Sequence, residues 1–301
     1  MHCRADHRPT QRLSYQEFNV HAPWRSTFLD NDGFMARLRR PLHPLVAHRF
    51  FNRHTYRYDL LHLIDHHGAA SHVAGNILWS HLCGAREGDV LPGSNMQQRL
   101  DFLNNDIKAY YSMYRVSNRL PPLRDSNIKD SKASAYPELK GHGVKGANTR
   151  SLMKFIQLLQ ERATAQQPTP KNKHMNKLAD SLQEAYDIMY NGTFFLSDGD
   201  VVALRRALFR FGEHYKALHD LAVDEGVQMW KIVPKLHFLC AHVPVQAEIV
   251  NPRYTQGYTS ESMVGAVCQI YSTSQSGPFH SRIQDVALVK YCTGLNILWT
   301  G

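Results

Sequence analysis

The sequence predicts a mainly α protein, and three stretches carry that prediction. Between residues 201 and 222, Val201, Leu204, Leu208, Phe211, Tyr215, Leu218 and Ala222 recur at alternating steps of three and four, the spacing of a helix face that meets another helix. Leu152, Phe155, Ile156 and Leu159 stand at i, i+3, i+4 and i+7, and Leu178, Leu182, Ala185 and Met189 repeat the pattern between about Met175 and Tyr190. The 301 residues are 43% hydrophobic and 20% charged. That is enough apolar material for a packed core, and it excludes disordered, collagen-like and fibrous classes.

Taken in order, residues 1–44 read as a basic, irregular segment in which Arg37, Arg39 and Arg40 precede Pro41 and Pro44. From Asp59 to Leu82 the spacing is helical, through Leu60, Leu63, Ile64, Ala70, Val73, Ala74, Ile77 and Leu78. Gly68, Ala69, Ala70 and Gly75 leave one side of this helix with little bulk, so another element can pack closely there. Gly84 to Gly93 is a loop, and a tyrosine-rich helix through Tyr110, Tyr111 and Tyr114 stops before Leu120-Pro121-Pro122. The polar GHGVKG run leads to Asn148 and Thr149, either able to cap the helix of Leu152 to Leu159. Residues 164–174 carry two prolines and few apolar side chains and read as a linker or exposed turn between helices. Ser197 with Asp200 three residues on resembles a capping box at the start of the longest helix, whose seam reads as bundle core. After Gly226, short apolar clusters are broken by Pro234, Pro244 and Pro252. KIVPKLHFLCAHVPV fits a strand or short helix, YTSESMVGAVCQIY a helix, and DVALVKYCTGLNILW a last one.

Lys and Arg total 35 against 26 Asp and Glu, a formal +9 that 18 histidines raise in mild acid. Such an excess favours an anionic partner. No apolar run reaches the roughly 18 residues of a spanning helix, and the charged opening lacks the apolar core of a signal peptide. The expectation is a nuclear or cytoplasmic chain, neither secreted nor in a membrane. Five dispersed cysteines (Cys3, Cys83, Cys240, Cys268, Cys292) form no CxxC pair and read as reduced thiols.

Chemistry is concentrated in two places. Asp59, His62 and His66 lie at i, i+3 and i+7, so a helix starting at Asp59 carries all three on one face. Asp59 either caps the first turn or supplies a hard oxygen ligand to Mg²⁺ or Mn²⁺, with His62 orienting it or touching phosphate. A single acid does not hold a catalytic ion, and Glu261, in the first turn of a predicted helix, is the candidate partner. His237, Cys240 and His242 offer zinc donors without the spacing of a known finger. Neither GxSxG, HExxH, a Walker loop nor GxGxxG occurs. Phosphate-contacting candidates are Arg37, Arg39 and Arg40, then Lys140, Lys145 and Arg150 around the glycines that precede a helix N-terminus.

Two segments carry a resemblance. Tyr58-Asp59-Leu60-Leu61-His62 followed by Gly68 resembles the second-acid segment of eukaryotic DDE-type transposases. Pro234-Lys235-Leu236-His237 with His242, then Asn251-Pro252-Arg253 and Tyr258-x-x-Glu261 with Gly265, is similar to their third-acid segment. The resemblance spans roughly residues 45 to 295, and the order of the motifs matches. It implies an RNase H-like α/β core, here partial and formed by 45–85 and 230–301, interrupted by a helical insertion over 86–229. It also implies DNA strand cleavage or transfer by metal-activated attack on a phosphodiester, with Asp59 as second and Glu261 as third metal-binding acid and His62 beside them. The first acid has no convincing counterpart, since Asp30 and Asp32 lie in a turn-like FLDNDGF context. The chain therefore reads as an incomplete or domesticated transposase copy that binds DNA, is able to self-associate, and has lost the means to cut. The alternative is a non-enzymatic helical scaffold whose 201–222 seam packs a partner.

Overall fold

A computed structural model describes residues 14–19, 21–38, 44, 48, 52, 55, 57–84, 90–132 and 135–258. They are mainly helical, and no β-strand occurs among them. Among the described residues, helices up to Asp224 are α1 (Asn31–Ala36), α2 (Ala69–Cys83), α3 (Met96–Met113), α4 (Asp125–Ile128), α5 (Gly146–Gln166), α6 (Pro170–Asn191) and α7 (Asp198–Asp224), and short helical turns follow. One compact unit runs to Thr255, and a second begins at Gln256.

The seam behaves as its period requires. Leu204, Leu208, Phe211 and Tyr215 are fully buried, with Val201, Leu218 and Ala222 close behind. They lie along α7, which forms the broadest helix–helix contact of the unit with α6; α6 packs in turn on α5, and α5 on α2. Each large apolar side chain taken out of water contributes about 1.5–3 kcal/mol, so this stripe alone outweighs the weak helix propensity of its aromatic residues. The Ser197 hydroxyl accepts a hydrogen bond from the Asp200 amide at 3.1 Å, which caps α7.

Three boundaries differ from the sequence expectation. The linker or exposed turn read over 164–174 narrows to residues 167–169, because Thr169 caps α6 and Pro170 takes its first position, where a missing N–H costs nothing. At α5 the helix starts at Gly146, before either proposed cap, and Asn148 instead donates to the carbonyls of Arg119 (2.9 Å) and Gly143 (3.1 Å). The helix read from Asp59 to Leu82 is two pieces: a π-turn over Leu61–Asp65, a break at His66–Gly68, then α2. His67 takes φ +51°, a left-handed conformation uncommon outside glycine. Gly68 is required because a Cβ there would lie 2.4 Å from the Leu63 carbonyl oxygen.

The α/β layer is where the structure departs most from expectation. In 57–84 and 230–255, the described parts of the segments read as an RNase H-like core, the ordered elements are helical turns and α2. Pro234–His237, the π-turn Phe238–His242 and Val243–Ala247 follow one another without a break. Pro234 and Pro244 each stand in the first turn of such a piece, where proline favours a helical φ. The apolar side chains of both segments join those of 91–222 in one shared core.

The low-bulk side of α2 accommodates the extended segment 135–140. A Cβ on Gly75 would sit 2.5 Å from Glu138 Cα, so only glycine admits the approach. The Leu139 amide donates to the Ser71 carbonyl at 2.9 Å. Asn76, fully buried, donates to the carbonyls of His72 (2.7 Å) and Pro137 (3.1 Å) and accepts from the Trp230 amide at 2.8 Å. Trp230 is itself buried with φ +57°, and Tyr215 Oη donates to the Lys231 carbonyl just beyond it at 3.0 Å. A single side chain therefore fixes both 135–140 and 230–231 against α2.

The α6–α7 interface also holds a titratable pair, His174 and His214, with Nδ1 atoms 3.2 Å apart. Burial, then the neighbouring His174, Lys177 and Arg210, lowers His214 from 6.5 to about 4. The unfolded chain then binds more protons than the folded one at His214 between those two values, so His214 withdraws stability as pH falls from 6.5 towards 4. Denaturant midpoints measured across that window should decline, and His214→Gln should flatten the decline; an identical pH profile in the variant would contradict the assignment.

Candidate functional site

The two resemblance segments, about 165 or more residues apart in sequence, meet in space. Tyr58 stacks on Phe238 with ring centroids 5.0 Å apart and planes 22° apart, and the Tyr58 amide donates to Gln246 Oε1 at 3.1 Å. Thr255 Oγ1 donates to the Tyr58 carbonyl at 2.9 Å, and Lys235 Nζ to the His67 carbonyl at 2.8 Å. The two π-turns pack against each other. Such one-turn widenings recur at functional sites.

Asp59 lies at the mouth of the first π-turn. Its Oδ1 accepts from the Leu61 amide at 2.9 Å, and its Oδ2 lies 2.5 Å from His62 Nδ1. The side chains are about one-third and one-half exposed, so the pair is oriented and accessible to solvent. From it a row of rings continues: His62 to His66 at 5.6 Å, His66 to His67 at 4.6 Å, and His67 Nδ1 to Glu138 Oε1 at 2.7 Å. Because the helix breaks at 66–68, His66 is not on a continuous face with Asp59 and His62.

The row ends in a cleft of about 710 Å³ walled by 135–140, 231–238 and the start of α2. Lys140, Lys231 and Lys235 line it, with His67, His72 and Glu138. None of the three lysines makes an ion pair among the described residues, and the Glu138 carboxylate is held by His67. Some cations elsewhere on the surface are ion-paired, among them Lys171 with Glu225 (3.1 Å), Lys216 with Asp220 (2.5 Å) and Arg162 with Asp106 (2.5 Å). Burial lowers the Lys235 ammonium from its ordinary range, with Glu138 acting the other way. His72 is likewise lowered, by burial first, opposed by Glu138 and assisted by Lys235, Lys231 and His67. It is a neutral imidazole at pH 7, only 8% exposed, whose Nδ1 has no hydrogen-bond partner. A buried polar nitrogen left unpaired costs roughly 1–3 kcal/mol, which a ligand atom would recover.

The other sequence candidates fall as follows. Lys140 lines this cleft, Lys145 is exposed at the N-cap of α5, and Arg37 is exposed at the C-cap of α1. Arg150 turns inward: it donates to Tyr190 Oη, sits 4.7 Å over the Tyr190 ring, and lies 3.9 Å from the buried Asp65 carboxylate, which accepts from Tyr186 Oη. Arg39, Arg40 and Glu261 lie outside the described residues, so the Asp59–Glu261 separation does too. His237, Cys240 and His242 are buried, the two histidines in ring contact with Trp24, Phe28, Tyr58 and Phe238. Among the described residues no three His, Cys, Asp or Glu side chains are gathered for a metal ion, and no helix is long and apolar enough to cross a membrane.

Sequence reasoning missed Lys231, His72 and Glu138. Lys231 was within reach, since it stands in the same KIVPK run as Lys235. No local pattern marks His72, whose environment is assembled from three distant segments.

Compared with known protein families, characterised proteins and solved structures, the chain matches none.

Proposed function

We propose that this chain is a transposase-type DNA-binding protein that takes hold of phosphate groups in the Lys140–Lys231–Lys235 cleft. The observation that carries the reading is the convergence of three lysines, none of them ion-paired among the described residues, on one cleft with a single carboxylate that His67 already engages. Cations without carboxylate partners suit a polyanion, because each phosphate contact gains by releasing condensed counterions; among the described residues Lys235 meets only the His67 carbonyl and Lys231 the Tyr136 ring. The meeting of the two transposase-like segments at this cleft supports the same reading, as does the formal +9. A DNA ligand also favours the nuclear over the cytoplasmic alternative.

Strand cleavage belongs to the ancestry of this reading. Asp59, with His62 at its side, would join Glu261 in holding Mg²⁺ or Mn²⁺, which would supply charge stabilisation at the scissile phosphate. In the described residues, however, both Asp59 oxygens already serve local contacts, one capping the turn and one meeting His62. The binding role is therefore the one the geometry favours. The scaffold alternative loses its proposed docking face, since the 201–222 seam is already covered within the chain.

Labelled duplex DNA incubated with the full chain in EDTA, Mg²⁺ or Mn²⁺ tests both parts. Retarded complexes without metal and no cleavage product in any condition are the expected outcome. Metal-dependent cleavage lost in Asp59→Ala and Glu261→Ala would overturn the view that binding has outlived catalysis, and absence of any complex would overturn the DNA reading itself.

A further inference from the structure

The same cleft has a chemistry more specific than general attraction for a phosphate backbone. An internal phosphodiester carries one negative charge and continues on both sides, so an open basic ridge suits it. A phosphomonoester carries about −1.5 to −2 at pH 7 and presents three terminal oxygens. The cleft opposes three ammonium groups to one carboxylate, and that carboxylate is engaged by His67 at 2.7 Å. It is a shallow, largely open hollow, and at its wall stands His72, nine-tenths buried, with a ring nitrogen that no protein group meets. Tyr136 and Phe238 also line it, and aromatic side chains are the usual stacking surface for an unpaired base; one face of Phe238 is taken by Tyr58 and Lys231 Nζ lies 5.6 Å from the Tyr136 ring centroid, so a base would use the remaining faces. Its volume of about 710 Å³ falls in the range of pockets that hold a whole small ligand, larger than a bare phosphate requires. The left-handed backbone at His67, whose carbonyl accepts from Lys235, is the kind of local strain that collects at binding sites.

We propose that the cleft is a receptor for a phosphomonoester at a nucleic-acid strand end, with Lys140, Lys231 and Lys235 balancing the dianion, His72 Nδ1 meeting one phosphate oxygen, and Tyr136 or Phe238 carrying the terminal nucleoside. This inference rests on the DNA reading and sharpens it from a backbone to an end. A neutral His72 in the tautomer protonated at Nδ1 donates to the phosphate; the lysines provide charge without fixed direction, and His72 provides the direction.

Short single-stranded oligonucleotides of one sequence, with a 5′-phosphate, a 3′-phosphate or hydroxyl at both ends, are titrated against the full chain. One phosphorylated form should bind about tenfold more tightly, the value of one charge-assisted hydrogen bond. Inorganic phosphate should compete for that increment, and a mononucleotide 5′-phosphate should compete better than inorganic phosphate if the aromatic walls take the nucleoside. His72→Phe should bring the affinity ratio of phosphorylated to all-hydroxyl strand down to about one; should it fail to fold, Lys235→Gln, which weakens both strands, should weaken the phosphorylated one more and so lower the same ratio. Equal affinity for all three strands, with ordinary salt-sensitive binding, would overturn the end receptor and leave the DNA reading standing. No binding of any single strand, with duplex binding intact, would also overturn the end receptor; no binding of single strand or duplex would overturn both.

Discussion

Replacing Asn76 by alanine should destabilise the protein by roughly 2–6 kcal/mol, because it removes partners from two buried backbone groups at about 1–3 kcal/mol each. Those groups are the Pro137 carbonyl and the Trp230 amide. The His72 carbonyl, its third contact, lies one helical turn away in α2 and is the least affected. Against this loss, alanine gains less than 1 kcal/mol of helix propensity over asparagine, so the sign is not in doubt. Trp230 is held at φ +57°, a conformation that persists only where surrounding contacts over-determine it. Without Asn76 both walls of the lysine cleft lose an anchor, so weaker DNA binding should accompany the lower denaturant midpoint. Equilibrium unfolding in urea checks the first effect; a change below about 0.5 kcal/mol, the ordinary range for surface positions, would contradict the role assigned to this side chain.

What the sequence made legible was local. The seam of α7 and the stripes of α5 and α6 follow from side chains three and four apart, whose burial depends on helix geometry alone. The glycines of α2 signalled a close approach, and Gly75 against Glu138 is that approach. The break at His66–Gly68 was hidden because apolar spacing continues across it; Gly68 was the one sign of it. Thr169-Pro170 is a helix start that the surrounding polar residues disguised as a linker. The apolar cluster after Lys231 was compatible with a strand or a short helix, and only its prolines, each in a helical first turn, distinguish the two.

The candidate site was half legible for a similar reason. Asp59 and His62 are three residues apart and do meet, at 2.5 Å. Lys140 was grouped with Lys145 and Arg150 by nearness in sequence, yet its companions in the cleft are Lys231 and Lys235, about ninety residues away. Arg150 carries the same charge as they do and is turned inward by Tyr190 and the buried Asp65, a pairing that no spacing rule contains. Which basic residues remain available to a ligand depends on which carboxylates the fold places beside the others. That information is tertiary.

The claim that these three lysines bind phosphate has a direct quantitative consequence. For duplex DNA, the logarithm of affinity falls linearly with the logarithm of salt concentration, with a slope of about −0.9 for each phosphate neutralised. Removing a cation that contacts phosphate weakens binding to all sequences and lowers the slope by about one. The measurement is the salt dependence of duplex affinity for the wild-type chain, for Lys140→Gln with Lys231→Gln and Lys235→Gln, and for a control carrying Lys171→Gln and Lys216→Gln, whose side chains are ion-paired to Glu225 and Asp220. The account predicts a steep wild-type slope, reduced by about two to three in the cleft variant and unchanged in the control. A flat wild-type response, or an equal reduction in both variants, would contradict it.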